Sequence, residues 1–314
     1  MSFRDIGAVF SRSYVIGFFV PAAVFFTVAT FLTYRWYNRE VFEGISDSEV
    51  VLAVTGLSLG LGLLLEGLWN PIVVFLFQGY ISEARGGIRY YLTWPLYRVL
   101  LALQNRRFRF LLEHRDDPGE TDRARAYFAW QLDRRYPQGH DRVLPTRFGN
   151  AVRASEDYSR FRWGVDNAAL WPRVEAFLSE QEKELLDGEN AQVAFFLNSC
   201  LLVFGIAIWF IVQHALHWRA LSTIHALILV ALLGVSYLLY YLGVEAVIRW
   251  GTRVRTGFDL HLRDVYREIG LVIPDDFSEE HRRLGLMLSQ FFVYGSPIDP
   301  ELWARSRSTT DSGG

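Results

Sequence analysis

Four long apolar runs constrain this chain more than any other feature of its sequence. Residues 13–34 carry no charge between Arg12 and Arg35, and residues 190–218 carry none at all. Residues 50–82 contain only Glu66, and residues 220–248 only Glu245. Each run reaches the roughly 20 residues that a helix needs to cross the hydrocarbon core of a bilayer. In that medium a helix satisfies its own backbone N–H and C=O groups. The runs therefore predict an all-α polytopic membrane protein with spans over about 13–34, 50–78, 192–214 and 223–247. The first run is too long for the apolar region of a signal peptide and lacks a small-residue cleavage site, so it reads as a retained span.

The arginines set the expected orientation. Lys183 is the only lysine, and 29 of the 32 basic residues fall in residues 1–12, 83–189 and 249–314. The two remaining loops hold only Arg35, Arg39 and Arg219. The positive-inside rule then puts both termini in the cytoplasm and the protein in the cytoplasmic (inner) membrane. Trp36, Trp69, Trp218 and Trp250 lie at or near span ends, where amphipathic rings favour the interface.

This pattern divides the chain into an N-terminal transmembrane pair (1–82), a cytosolic helical domain (83–189), a C-terminal transmembrane pair (190–250), a cytosolic helical region (251–305) and a disordered polar tail (306–314). In the cytosolic part, residues 88–115 alternate apolar side chains with arginines, as either an amphipathic helix lying on anionic headgroups or a solvated helix packed on its own domain would. Arg98, Arg106, Arg107 and Arg109, together with Arg249, Arg253 and Arg255 after the fourth run, are the candidate headgroup contacts. Turn residues at 115–122, Pro137 and a break near Gly164 separate further helices. The net charge of −2 and the lack of a nucleic-acid-reading motif give no support for a nucleic-acid partner.

Polar residues inside the runs are functional candidates because a bilayer makes them costly. On a helical wheel Gly56, Gly60 and Gly67 form a small-residue packing stripe, with Glu66 and Asn70 on its edge. Glu66 is expected to point into the bundle or a subunit interface, with Asn198 at similar depth as its partner. Glu245, below Tyr241 and one turn before Arg249, reads as half of an interfacial ion pair. The 33-residue second run is too long for one straight span, so Asn70–Pro71 is expected to kink it.

Catalytic chemistry finds little support. "GLSLG" (56–60) matches a nucleophile motif as a string but lies in an expected membrane helix, not a strand–turn–helix elbow. The pairs in "EHRDD" (113–117), "GHD" (139–141) and "EEH" (279–281) place His beside carboxylates without evidence of convergence. There is no HExxH, P-loop or dinucleotide fingerprint. "EEHRRL" fails the spacing of membrane CAAX-type proteases, with Leu284 where arginine would stand. His214, His217 and His225 cluster near one membrane face without an acidic or cysteine ligand at helical spacing. Cys200 is the only cysteine, which excludes an intrachain disulfide. No cofactor, metal or catalytic residue is assigned.

"LPTRFGNAVRASEDYSRFRWGVDNAALWPR" (144–173) and "FDLHLRDVYREIGLVIPDDFSEE" (258–280) resemble stretches of uncharacterised bacterial four-span membrane proteins. The resemblance implies the same layout and brings no activity with it. The leading expectation is a homo-oligomer in the lipid bilayer whose cytosolic domain binds a protein or small-molecule signal and acts through the bundle. The alternative is a channel with Glu66 near its pathway. An enzyme acting at the membrane surface ranks third.

Overall fold

The computed structural model describes residues 11–36, 46–79, 88–216, 222–271 and 279–297, together with Pro300. Trp218, His217, Arg85 and the tail at 306–314 lie outside the described residues. All described secondary structure is helical. Helix α1 comprises a turn at Arg12–Tyr14, a π-helical stretch at Val15–Phe19 and an α-helix at Val20–Trp36. Then follow α2 (Asp47–Gly67), α3 (Ile88–Asp116), α4 (Asp122–Arg135), α5 (Arg147–Trp163), α6 (Asn167–Phe177), α7 (Glu180–Leu216), α8 (Thr223–Glu268) and α9 (Glu279–Tyr294). Four stretches, Arg12–Phe31, Asp47–Gly67, Glu180–Ala215 and Thr223–Glu268, are long and apolar enough to cross a membrane.

Local chemistry sets the ends of these helices. Ser46 and Glu49 form a reciprocal capping box that starts α2 three residues before the second apolar run. The helix does not continue straight to residue 78. It breaks at Leu68, resumes as Trp69–Ile72 around Pro71, and widens into a π-helical stretch at Val73–Phe77. Pro71 offers no N–H to the preceding turn, which accounts for the expected kink. Thr121, Thr146 and Asp166 cap α4, α5 and α6 through side-chain oxygens. Pro95 sits inside α3 rather than at its start.

The chain forms two compact units. Unit 1 comprises Met1–Val73 and Asp187–Val247. Its core packs Tyr14, Phe18 and Phe19 of α1 against Leu65 of α2 and Ala194 and Leu202 of α7. Phe18 meets Trp69 edge-on, with ring centroids 5.5 Å apart.

Unit 2 comprises Val74–Leu186 and Ile248–Gly314, so two distant segments build one core. Trp163, Val165, Leu170 and Val174 pack there against Val254, Phe258, Leu262 and Tyr266 of α8, with Leu284 and Leu288 of α9. A smaller core of Phe108, Leu111, Leu132, Tyr136 and Val143 closes the α3–α4 hairpin. Helices α7 and α8 belong to both units and cross the boundary without interruption.

The α5–α6 turn depends on Gly164. Its φ of +71° is left-handed, and its N–H caps the carbonyls of Ser159 and Arg160. A Cβ at this position would lie 2.3 Å from the Arg282 carbonyl oxygen of α9. Both the conformation and the close approach require glycine. Gly164→Ala is therefore expected to destabilise the protein by about 1–3 kcal/mol, read as a fall in the midpoint of thermal unfolding in detergent.

Candidate functional site

Unit 1 contains a polar contact that explains its backbone. Pro21 has no N–H, so the Gly17 carbonyl one turn earlier loses its usual intrahelical donor. The π-helical stretch at Val15–Phe19 lies immediately before this proline. Asn198 of α7 fills the gap, donating from Nδ2 to the Gly17 oxygen at 2.8 Å. Gly17 makes this reach possible, because a Cβ there would lie 2.8 Å from that of Ala194, one turn before Asn198. The Tyr14 hydroxyl also donates to the Leu59 carbonyl of α2 at 3.2 Å, and Gly62 leaves room for it.

The predicted polar residues therefore sort differently from the expectation. Asn198 is fully buried and engages α1, not Glu66. Glu66 and Asn70 are exposed, and the Glu66 carboxylate has no hydrogen bond or ion pair with any described residue. The three glycines of the stripe, Gly56, Gly60 and Gly67, face open space. Among the described residues of unit 1 close helix approaches are made by Gly17, Gly62 and Gly243, the last against Leu197. Helical periodicity places these glycines on one face but does not say which side of α2 meets α1. Tyr241 is exposed and Glu245 half-buried on α8. Ser58 is buried within α2 and bonds its own helix at the Val54 carbonyl, as no exposed nucleophile would.

The arginines also divide. Arg98, Arg106, Arg109, Arg249 and Arg253 are exposed, and Arg107 is half-buried. Arg255, expected at the headgroups, is instead 6% exposed inside unit 2. It lies about 200° around α8 from Arg253, which turns it onto α4 and α5. Its guanidinium donates to the Asp133 carboxylate and carbonyl, both at 2.6 Å, and to the Ala154 carbonyl at 2.7 Å. It also lies 4.8 Å above the Tyr158 ring. Beside it, Asp259 of α8 accepts from the Tyr158 hydroxyl at 2.8 Å and from Trp163 Nε1 at 3.0 Å. This network joins α4, α5 and α8, and sequence pattern gave no signal for it.

The histidine–carboxylate pairs do not share a pocket. His114 packs on Phe110 and Phe128, His140 on Phe108, and His281 on Trp163 and Tyr266. In unit 1, His214 and His225 are in ring contact at 4.6 Å. Among the described residues no three His, Cys, Asp or Glu side chains are grouped to hold a metal.

The most ligand-like feature is a pair of adjoining depressions in unit 2. A groove of about 500 Å³ runs between α5–α6 and α9, with Pro172, Leu286, Phe292 and Val293 on its apolar side and Arg160 and Arg173 on its rim. Arg173 is already engaged, stacked 3.5 Å from the Phe292 ring centre and bonded to the Ala169 carbonyl. The groove shares Arg160, Asp166 and Ala168 with a recess of about 200 Å³ that also holds Arg142, Glu156, Asp157 and Asn167. There Arg142 pairs with the buried Asp157, and Asp166 is occupied in capping α6. Glu156 and Arg160, one turn apart on α5, have no ion pair with any described residue, and Asn167 Nδ2 is buried without an acceptor. Burial pushes the Asp157 carboxyl above its usual range despite the nearby Arg142 charge.

Four long apolar helices attached to a helical polar unit give this chain the makeup of a multi-pass membrane protein. Comparison with known proteins finds no matching family model, no matching curated protein and no matching solved structure.

Two measurements test these contacts. Asn198→Leu should destabilise the wild-type background by about 1 kcal/mol, as removal of an interhelical hydrogen bond does in a membrane bundle. In a Pro21→Ala background, which restores the missing N–H, the loss should shrink, and a double-mutant cycle in detergent reads the coupling. The second concerns Tyr158, whose pKa is pushed up from 10.0 to about 12 by burial first and then by the Asp259 carboxylate. A folded-state pKa above the unfolded one gives stability that is complete below pH 10.0 and lost as pH rises towards about 12. Tyr158→Phe should flatten that part of the alkaline decline in melting temperature.

Proposed function

We propose that this is a multi-pass protein of a bacterial cytoplasmic (inner) membrane, with both termini cytoplasmic, that works as a homo-oligomer. Its cytosolic unit binds a partner or signal, and α7 and α8 carry the effect into the membrane bundle. The single observation behind this reading is the continuity of those helices. Each runs as one helix from residues of one unit into residues of the other, α7 over Glu180–Leu216 and α8 over Thr223–Glu268. A 46-residue helix such as α8 is about 69 Å long, and its unbroken backbone hydrogen bonding joins the polar residues to the apolar ones. The signal is a small molecule seated in the recess beside Asn167, where one unpaired charge of each sign and an unmet amide donor await partners. The Asn167 amide is buried without an acceptor, which is costly and favours an occupant; Glu156 and Arg160 are exposed beside it.

A second reading, an ion channel with Glu66 near its pathway, draws support from one fact. Glu66 and Asn70 are exposed on an apolar helix beside three glycines with open space above them. A carboxyl group at that depth in lipid needs a polar partner, and a second copy packed on the glycine face would supply one.

The test uses a Cys200→Ser background with a spin label at Leu227, an exposed position on α8. In proteoliposomes, label-to-label distances report both oligomerisation and bundle shape. Filling the recess with Ala168→Trp should shift those distances, and a distribution that stays put would sink the coupling. Ion flux under voltage that loses its pH dependence in Glu66→Gln would favour the channel.

A further inference from the structure

Helix α3 has two apolar faces. Phe108 and Leu111 occupy one of them and are buried in the hairpin core against α4. Leu96, Val99, Leu103 and Phe110 occupy the other, and they are 63%, 58%, 56% and 48% exposed. On a helix of 3.6 residues per turn these four fall within one stripe about 60° wide. A solvated helix face would be polar at such positions, and a contiguous exposed apolar stripe marks a contact surface.

The residues beside the stripe identify the contact. Arg106 borders it on one side and Arg107 on the other, each about 20° outside its edge. Arg98 and Arg109 lie further round on the same helix, and both are exposed. An apolar strip between arginines is the pattern of a helix lying in the plane of an anionic bilayer surface, with apolar side chains among the upper acyl carbons and guanidinium groups at the phosphates. A protein groove would match the apolar strip but would need its own acidic rims to match both arginines. The sequence also keeps α3 close to the second apolar segment. Ile88 follows Gly79 by nine positions, a reach of at most about 32 Å.

We propose that α3 docks in the membrane interface through Leu96, Val99, Leu103 and Phe110, held by Arg106 and Arg107 to anionic phospholipid. The docking rests on reading the four apolar helices as membrane spans, and it gives unit 2 a second, charge-dependent attachment to lipid. Each arginine is expected to contribute about fivefold to the docked-to-undocked ratio.

The test uses the full chain with Cys200→Ser in nanodiscs containing brominated lipids. A fluorescent label is placed singly at Leu103, at Val230 on the apolar part of α8, or at Glu120 in the α3–α4 turn. The expected result is strong bromine quenching at Val230, intermediate quenching at Leu103 and none at Glu120. Quenching at Leu103 should rise when phosphatidylglycerol replaces phosphatidylcholine, and Arg106→Gln with Arg107→Gln should abolish the rise. If Val230 is quenched and Leu103 is not, the docking is overturned while the membrane reading stands. If Val230 is not quenched, the membrane reading itself fails. Should Leu103 be shielded from both bromine and an aqueous quencher, with self-quenching that disappears on dilution with unlabelled protein, a second copy covers the stripe and the lipid assignment is wrong.

Discussion

A carbonyl oxygen left without its donor is the constraint on which the apolar unit turns. Pro21 removes one N–H from the first long apolar helix, and in hydrocarbon no water is present to replace it. The chain responds with a wider π-helical stretch at Val15–Phe19 and a buried amide, Asn198, brought in from α7. That contact demands close backbones, which explains Gly17 opposite Ala194. Tyr14 then reaches the Leu59 carbonyl over Gly62, tying α2 to the same turn. One missing proton thus specifies how three helices meet, where apolar contacts alone would allow many rotations.

Unit 2 is specified in a similar way by a charge. Arg255 would be costly to bury alone, so its guanidinium is surrounded by the Asp133 carboxylate, two carbonyls and the Tyr158 ring. Asp259 completes the arrangement by accepting from Tyr158 and Trp163. These bonds set the register of α8 against α4 and α5. In the recess beside α6, Glu156 and Arg160 are exposed and the Asn167 amide is buried without an acceptor.

How much of this was legible can be judged from particular residues. The four apolar stretches, the helix interruption at Leu68 just before Pro71 and the break at Gly164 follow from length, hydropathy and two residues with restricted or unusual backbone freedom. The capping box of Ser46 and Glu49 was also present as a local pattern, though hydropathy alone started α2 three residues late. The fourth apolar run ends near Val247, and α8 continues through the charged residues beyond it to Glu268 with no proline to interrupt it. Among the candidate residues, Asn198 was marked as an unusual polar group, but its partner was misjudged. Depth along two helices says nothing of their rotation, and Glu66 is exposed at the edge of the face that Gly62 turns towards α1.

The sequence by itself determined which segments are helical, which of them suit lipid, and which residues there carry an unmet polar group. These are local properties, set by side-chain chemistry over a turn or two of backbone. Tertiary structure decided the pairings: Asn198 with Gly17, Arg255 with Asp133, and the joining of residues 74–186 and 248–314 into one unit. A helix presents every side chain to some direction, and periodicity marks faces without saying what each one meets. Only the packing of distant helices settles that, because a buried donor and its acceptor must arrive at the same point in space.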